Sequence, residues 1–236
     1  MGNGDIIFNK KTSTAIVKIN QCCDWQGFMY NSKGWHYLCE TMRQFGKNPG
    51  ITYRDSILFA YYNNFQPVSL LDSLFYSSKN RKKLKSKCDP LPWEKAFHLE
   101  FKNNQHFGPS SNNFGEREFR RIKSVYKTMK RNGYRPEKYT DGYIRGYFLQ
   151  KKEDYCFLVT GGQHRIAALA VLGQEHKKII VKLQPGRKPV VNLKDVSKWP
   201  QVANGLYKRE MAIKILKSYF RNTGRERAEK LGILKK

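Results

Sequence analysis

The sequence has few acidic residues and no long apolar segment. Asp and Glu total 19 against 45 Lys and Arg, so the 236 residues carry a formal net charge of +26. A surplus of this size attracts polyanions such as nucleic acid, acidic glycans or an anionic lipid surface. No apolar run reaches the length that spans a bilayer, and we therefore expect no transmembrane segment.

Cysteine is also scarce, and its pattern does not indicate a disulfide framework. The five cysteines are odd in number, and the chain opens without a secretory leader. We therefore predict reduced thiols and a cytoplasmic location. Cys22, Cys23, His36 and Cys39 could be interpreted as a zinc cluster, but their spacing matches no common set of zinc ligands. Buried thiols are the favoured interpretation, and we predict no metal site here.

The most informative segment lies near the middle of the chain. The apolar run of residues 155–159 leads into Gly161 and Gly162, and an alanine-rich helix is predicted from Gln163 onward. Adjacent glycines allow close approach to a ligand, and the free N–H groups of the first helical turn favour an anion. His164 and Arg165 can add charge-assisted hydrogen bonds. We predict that residues 161–165 bind phosphate groups.

The same motif carries a family resemblance. The run Gly161-Gly162-Gln163-His164-Arg165, followed by Ala167-Ala168 and Leu172-Gly173, resembles the signature of the ParB/sulfiredoxin-like superfamily. The resemblance covers residues 105–184, where a predicted helix, an extended segment, the motif and a further strand follow in the family's order. It implies an α+β fold, with a mixed sheet and helices, and a turn that holds nucleotide phosphates.

This sequence departs from the family's pattern in three places, and each departure bears on which of the family's activities the chain could have. Sulfiredoxins have a reactive cysteine at the position of Gln163, which argues against sulfiredoxin activity. The serine-kinase branch has a catalytic aspartate where this chain has Gly161, which weakens a kinase assignment without excluding it. Partition clamps continue into a helix-turn-helix region, and we find no convincing one after residue 184.

The predicted organisation has three parts. Residues 1–100 form a helical, aromatic-rich N-terminal extension, residues 101–185 the nucleotide-binding core, and residues 186–236 a basic helical C-terminal extension. The basic run of residues 80–87 is predicted to be an exposed loop that joins the first two parts.

Two glutamates at the start of a predicted helix over residues 116–131 are candidate bases. Carboxylates in a first turn also simply favour the helix dipole. The kinase-like branch has a general base at the corresponding position, which implies Glu116 as the first candidate and Glu118 as the second. Residues two apart point about 200° away from each other around a helix, so only one can face the turn.

His164 has three interpretations: a phosphate ligand, which we favour, an acid/base group, or a residue that structures the turn. Asp141 or Asp154 could hold Mg²⁺ together with nucleotide phosphates, because one or two carboxylates suffice for that ion. Either aspartate could instead stabilise its own turn.

The leading hypothesis is a nucleotide-dependent phosphotransferase that uses ATP, or CTP, with Mg²⁺ and acts on a hydroxyl of a small metabolite or glycan. Glu116 and His164 would be its catalytic residues. The alternative is a nucleic-acid-binding ParB-like protein, either a nuclease or a nucleotide-switched regulator. A third hypothesis is an interaction scaffold with a vestigial pocket, because Gly161 replaces an acid.

Overall fold

The computed structural model describes most of the chain: residues 2–3, 8–9, 11–67, 69–75, 90–95, 103–106, 108 and 110–234. The basic run of residues 80–87 and Cys88 lie outside these described residues. Among the described helices, none is both long and apolar enough to cross a membrane.

Within the described residues, an eight-stranded mixed sheet organises the fold. Its main path runs in the order β1, β6, β5, β7, β3, β2, while β4 pairs with β6 and β8 pairs with β5. The strands are β1 Gly2–Asn3, β2 Phe8–Asn9, β3 Thr14–Lys18, β4 Cys22–Cys23, β5 Arg145–Lys151, β6 Asp154–Gly161, β7 Lys178–Leu183 and β8 Val190–Asn192.

Parallel and antiparallel pairings coexist in this sheet. The hairpin of β5 and β6 is antiparallel, with Phe148 opposite Phe157, and β3 pairs antiparallel with β7. By contrast, β7 and β8 both run parallel to β5, and β4 runs parallel to β6. Together with the helices, the mixed sheet confirms the α+β class.

The sheet draws strands from all three predicted segments of the chain. The N-terminal segment supplies β3, which pairs with β7 of the core over five residues. The C-terminal segment supplies β8. One continuous sheet therefore includes strands from both sides of the boundaries predicted at residues 100 and 185.

The helices pack around this sheet, and their starts follow ordinary capping chemistry. They are α1 Tyr37–Lys47, α2 Ile57–Asn64, α3 Leu70–Phe75, α4 Asn112–Asn132, α5 Gln163–Leu169, α6 Pro200–Ala203, α7 Arg209–Ser218 and α8 Arg225–Lys230. Ser56 and Ser111 cap α2 and α4 because their hydroxyls accept hydrogen bonds from Phe59 N and Phe114 N. Gly133, at φ 68°, ends α4.

An aromatic cluster fills the core on the side of α1 and α2. Tyr37 and Tyr61 stack with ring centroids 4.1 Å apart and nearly parallel planes. Phe28 meets both rings edge-on, and Phe65 stacks on Tyr61. These side chains are fully buried, so part of the aromatic-rich N-terminal segment forms core.

Candidate functional site

The predicted strand, glycine turn and helix are all present. Strand β6 ends at Gly161, and Gly162 adopts a left-handed conformation at φ 79° before α5 begins at Gln163. A Cβ on Gly162 would lie 3.0 Å from the Cα of Ile144. Glycine is needed here both for the positive φ and for this close backbone approach.

The next two side chains point into the protein. Gln163 and His164 are only 3% and 5% exposed. The side-chain oxygen of Gln163 accepts a hydrogen bond of 3.0 Å from Gln105 Nε2, and His164 Nε2 lies 3.1 Å from Glu118 Oε2. A ligand at this turn would therefore meet backbone N–H groups before these side chains.

The two candidate glutamates lie on opposite sides of α4, as their spacing predicts. Glu118 is 9% exposed and contacts His164, whereas Glu116 is exposed to solvent. Glu116 interacts electrostatically with Tyr53. The structure therefore brings the second candidate, Glu118, to the motif.

Glu118 and His164 form a carboxylate–imidazole pair. Burial lowers the pKa of His164, so the imidazole is neutral at neutral pH, and its Nε2 lies 3.1 Å from Glu118 Oε2 without the alignment of a hydrogen bond. Burial alone would raise the pKa of Glu118, but the contacts with His164 and Arg121 outweigh it and lower that pKa. The pair is thus an ionised carboxylate held by a neutral imidazole and, at 3.5 Å, by the Arg121 guanidinium.

Three arginines lie around the glycine turn. Arg165 donates to the backbone oxygens of Asp141 and Tyr143, at 3.2 Å for the latter. Arg145 Nη2 lies 2.5 Å from Asp141 Oδ1. Burial lowers the pKa of Arg165, the Asp141 carboxylate raises it, and repulsion from Arg145 and Arg121 lowers it. The three guanidinium groups therefore lie close enough to interact electrostatically. Arg121 and Arg145 are 59% and 38% exposed, so both can reach a ligand.

A second buried polar layer, which the sequence did not reveal, adjoins the pair. Tyr37 and Tyr62 donate to the backbone oxygen of Gln105, and Tyr61 donates to that of His106. Burial lowers the pKa of His106 to about 4. Gln105 then reaches Gln163 of the motif, so the core tyrosines position the segment that supports α5.

The candidate magnesium ligands are far apart along the sheet. Asp141 lies at the glycine turn, where its carboxylate is 72% exposed and pairs with Arg145. Asp154 starts β6, at the opposite end of that strand from Gly161, and pairs with Lys151 at 3.6 Å. Of the two, Asp141 is placed to share an ion with a phosphate at the turn.

The cysteines singled out in the sequence are buried. Cys22, Cys23, Cys39 and Cys156 are all free, and Cys23 Sγ lies 2.8 Å from Cys156 Sγ. Burial raises the pKa of each of Cys22, Cys23 and Cys39. No three His, Cys, Asp or Glu side chains among the described residues are grouped so that they could hold a metal ion.

Comparison with protein-family models, with curated proteins and with solved structures found no match to this chain. The likeness to the ParB/sulfiredoxin-like superfamily therefore rests on the motif of residues 161–165 and on the order of the surrounding elements. It remains a prediction, as do the roles of the motif residues.

Proposed function

We propose that the turn of residues 161–165 binds nucleotide phosphates and that the protein transfers a phosphoryl group from ATP to a hydroxyl of a small metabolite or glycan. The observation that carries this proposal is the buried Glu118–His164 pair, 3.1 Å apart, directly beside the glycine turn. It places a carboxylate proton acceptor next to an anion-attracting site, which is the combination that phosphoryl transfer requires.

Phosphate binding rests on the backbone and on the arginines. Gly162 has no side chain to cap α5, and its backbone oxygen accepts from Arg165 N and Ile166 N, so the helix N–H groups proposed to meet a phosphate are those of Gln163 and His164. Arg145 and Arg121 add exposed guanidinium groups, which form bidentate hydrogen bonds to phosphate. Arg165, tied to two backbone oxygens, holds the loop that carries Asp141.

Glu118 would act as the general base in place of Glu116. Its pKa is lowered, which favours the ionised form, and it lies in contact with the His164 ring and the Arg121 guanidinium. In the proposed step the acceptor hydroxyl gives its proton to the Glu118 carboxylate, its oxygen forms a bond to the γ-phosphorus, and ADP leaves. Mg²⁺ bound to the phosphates would neutralise their charge, and Asp141 is the described carboxylate placed to share it.

Calorimetric titration of the full chain with ATP and Mg²⁺ tests the binding step. Arg121→Gln and Arg145→Gln should each weaken binding by about 10-fold or more, since a hydrogen bond to a charged group contributes roughly 1.5–3 kcal/mol. Arg131→Gln is the matched control, because Arg131 is exposed in the last turn of the same helix as Arg121. Absence of ATP binding, or equal weakening by all three changes, would refute the proposal.

A basic stripe on α4 favours nucleic acid as a second candidate partner. Five exposed basic residues lie within an arc of about 120° around one 21-residue helix. They are Arg117, Arg120, Arg121, Lys127 and Arg131. The stripe is roughly 20 Å long, which matches several phosphates of a duplex strand.

Filter binding at several salt concentrations tests this second function. The logarithm of the affinity should fall linearly with the logarithm of salt concentration, and Lys127→Gln together with Arg131→Gln should reduce the slope by about 2. If neither DNA nor RNA is retained at low salt, the nucleic-acid function fails. The surplus charge would then point to an acidic glycan or an anionic lipid surface.

A further inference from the structure

A cavity of about 330 Å³ lies away from the glycine turn. It is bounded by the residues 93–95, by the turn and strand of residues 185–192, and by the residues 195–200. None of its lining residues belongs to the motif of residues 161–165. Its volume falls in the range of small-molecule sites.

Aromatic side chains form an apolar wall of this cavity. Trp93 packs edge-on against Trp199 with centroids 5.2 Å apart. Trp93 Nε1 donates to Tyr147 Oη at 2.9 Å, and Tyr147 in turn donates to Glu94 Oε1 at 2.8 Å. Because Trp93 Nε1 is already bonded, the part of Trp93 that faces the cavity offers a ligand the carbon of its ring, while Arg187 lies over the ring of Tyr147.

Glu94 contributes a carboxylate with one unpaired, buried oxygen to the wall of the cavity. The residue is 6% exposed, and its Oε1 also contacts the Arg187 guanidinium. Its second oxygen, Oε2, is buried and has no hydrogen-bond partner among the described residues. Gln201 fixes the backbone of this segment by donating to Glu94 O at 2.7 Å. A buried carboxylate oxygen left in this way calls for a hydroxyl or N–H donor from a ligand.

The mouth of the cavity is positively charged. Lys95, Lys188 and Lys198 line it and are exposed, and Arg187 lies over the Tyr147 ring at 5.5 Å. The acidic residues that line it are Glu94, which Arg187 already neutralises, and Asp195. This balance disfavours a cationic ligand and favours one that carries an anionic group.

We propose that this cavity binds a small sugar phosphate. The C–H face of the sugar ring would pack on the aromatic wall, a ring hydroxyl would donate to Glu94 Oε2, and the phosphate would lie among Lys95, Lys188 and Lys198. A flat apolar ligand would leave the Glu94 oxygen unpaired, and free phosphate would leave the aromatic wall uncovered. Only a ligand that combines a hydroxylated ring with an anion uses all three features.

Calorimetry with the full chain and three probes, glucose 6-phosphate, ribose 5-phosphate and mannose 6-phosphate, tests the proposal. At least one should bind, and glucose, ribose, mannose and inorganic phosphate should each bind about 10-fold more weakly than that probe. Glu94→Gln and Lys188→Gln should each weaken its binding by about 5-fold or more. Lys194→Gln is the control, since Lys194 is exposed nearby without lining the cavity, and it should change nothing.

Two further results decide the matter. Arg121→Gln, expected to weaken ATP binding at the turn, should leave sugar phosphate binding unchanged, so the two sites succeed or fail separately. Lys188 is exposed, so Lys188→Gln remains informative even if Glu94→Gln impairs folding. The proposal is overturned if no probe binds more tightly than about 10 mM, or if Lys188→Gln binds as the native chain does.

Discussion

Replacing Glu118 by glutamine tests the central pair most directly. The change keeps the shape of the side chain and one acceptor oxygen, but it removes the charge that lies 3.1 Å from His164 Nε2. The two atoms are not aligned as a hydrogen bond, so the change mainly removes the attraction of the carboxylate to the Arg121 guanidinium and the His164 ring, and the free energy of unfolding should fall by about 1 kcal/mol. Glu118 raises the pKa of His164, so its loss should lower that pKa further.

The catalytic consequence should be far larger than the loss of stability. If Glu118 accepts the proton of the hydroxyl, Glu118→Gln should lower phosphoryl transfer by about 10²–10⁴-fold while ATP binding changes little. Glu116→Gln is the matched control, because Glu116 lies two residues earlier on α4 and is exposed. Urea unfolding measures the change in stability, NMR titration of the imidazole measures the pKa of His164, and transfer of labelled phosphate measures turnover.

The outcomes separate a base from a merely structural residue. Normal turnover in Glu118→Gln would refute the assignment of the base, even if the protein were destabilised as expected. Equal losses in Glu116→Gln and Glu118→Gln would show that the side of the helix facing His164 has no special role. A His164 pKa that rises in Glu118→Gln would contradict the electrostatic argument itself.

Three further predictions concern stability and reactivity. Gly162→Ala and Gly173→Ala both place alanine at a positive φ, which costs roughly 1–2 kcal/mol each. Only at Gly162 would the new Cβ also contact neighbouring atoms. Urea unfolding should therefore show that Gly162→Ala is clearly the less stable of the two variants. Because the pKa of His106 is lowered to about 4, the unfolded chain binds a proton that the native one does not between about pH 6.5 and 4. Stability should therefore fall as the pH drops through that window, by up to roughly 3 kcal/mol for this partly exposed ring, and His106→Asn should reduce the fall in acid unfolding experiments. Burial raises the pKa of the Cys39 thiol to about 12, so peptide mapping should find it alkylated by maleimide only after unfolding, and rapid labelling of the native chain would contradict its burial.

Local patterns predicted the longer elements of the fold well. The order of elements expected over residues 105–184 is observed as α4, β5, the motif with β6 and α5, and then β7. The helix predicted over residues 116–131 is α4, which extends from Asn112 to Asn132. The strands β4 and β8 have only two and three residues, and their pairing with β6 and β5 is a long-range property that no local pattern carries.

Within the candidate site, the motif was visible in the sequence but its supports were not. Gly161 and Gly162 predict a turn, because two adjacent glycines between a strand and a helix are typical of a tight turn. Gln105 and His106 carry no such signal, since tyrosines more than 40 residues earlier hold their backbone oxygens. Likewise, helix geometry predicted that only one of Glu116 and Glu118 faces the glycine turn. Which of the two does so depends on how α4 packs against α5, and the sequence does not contain that information.

The charges around the turn also indicate how an anion could enter. Arg165 is committed to two backbone oxygens, and Arg121 compensates the buried Glu118 carboxylate. Arg145 is instead paired with Asp141, whose carboxylate is 72% exposed. An exposed ion pair of this kind contributes about 0–1 kcal/mol, so a phosphate could displace Asp141 from Arg145 at little cost. Asp141 would then be released at the position where a phosphate-bound Mg²⁺ needs a carboxylate, which would couple binding of the anion to binding of its metal ion.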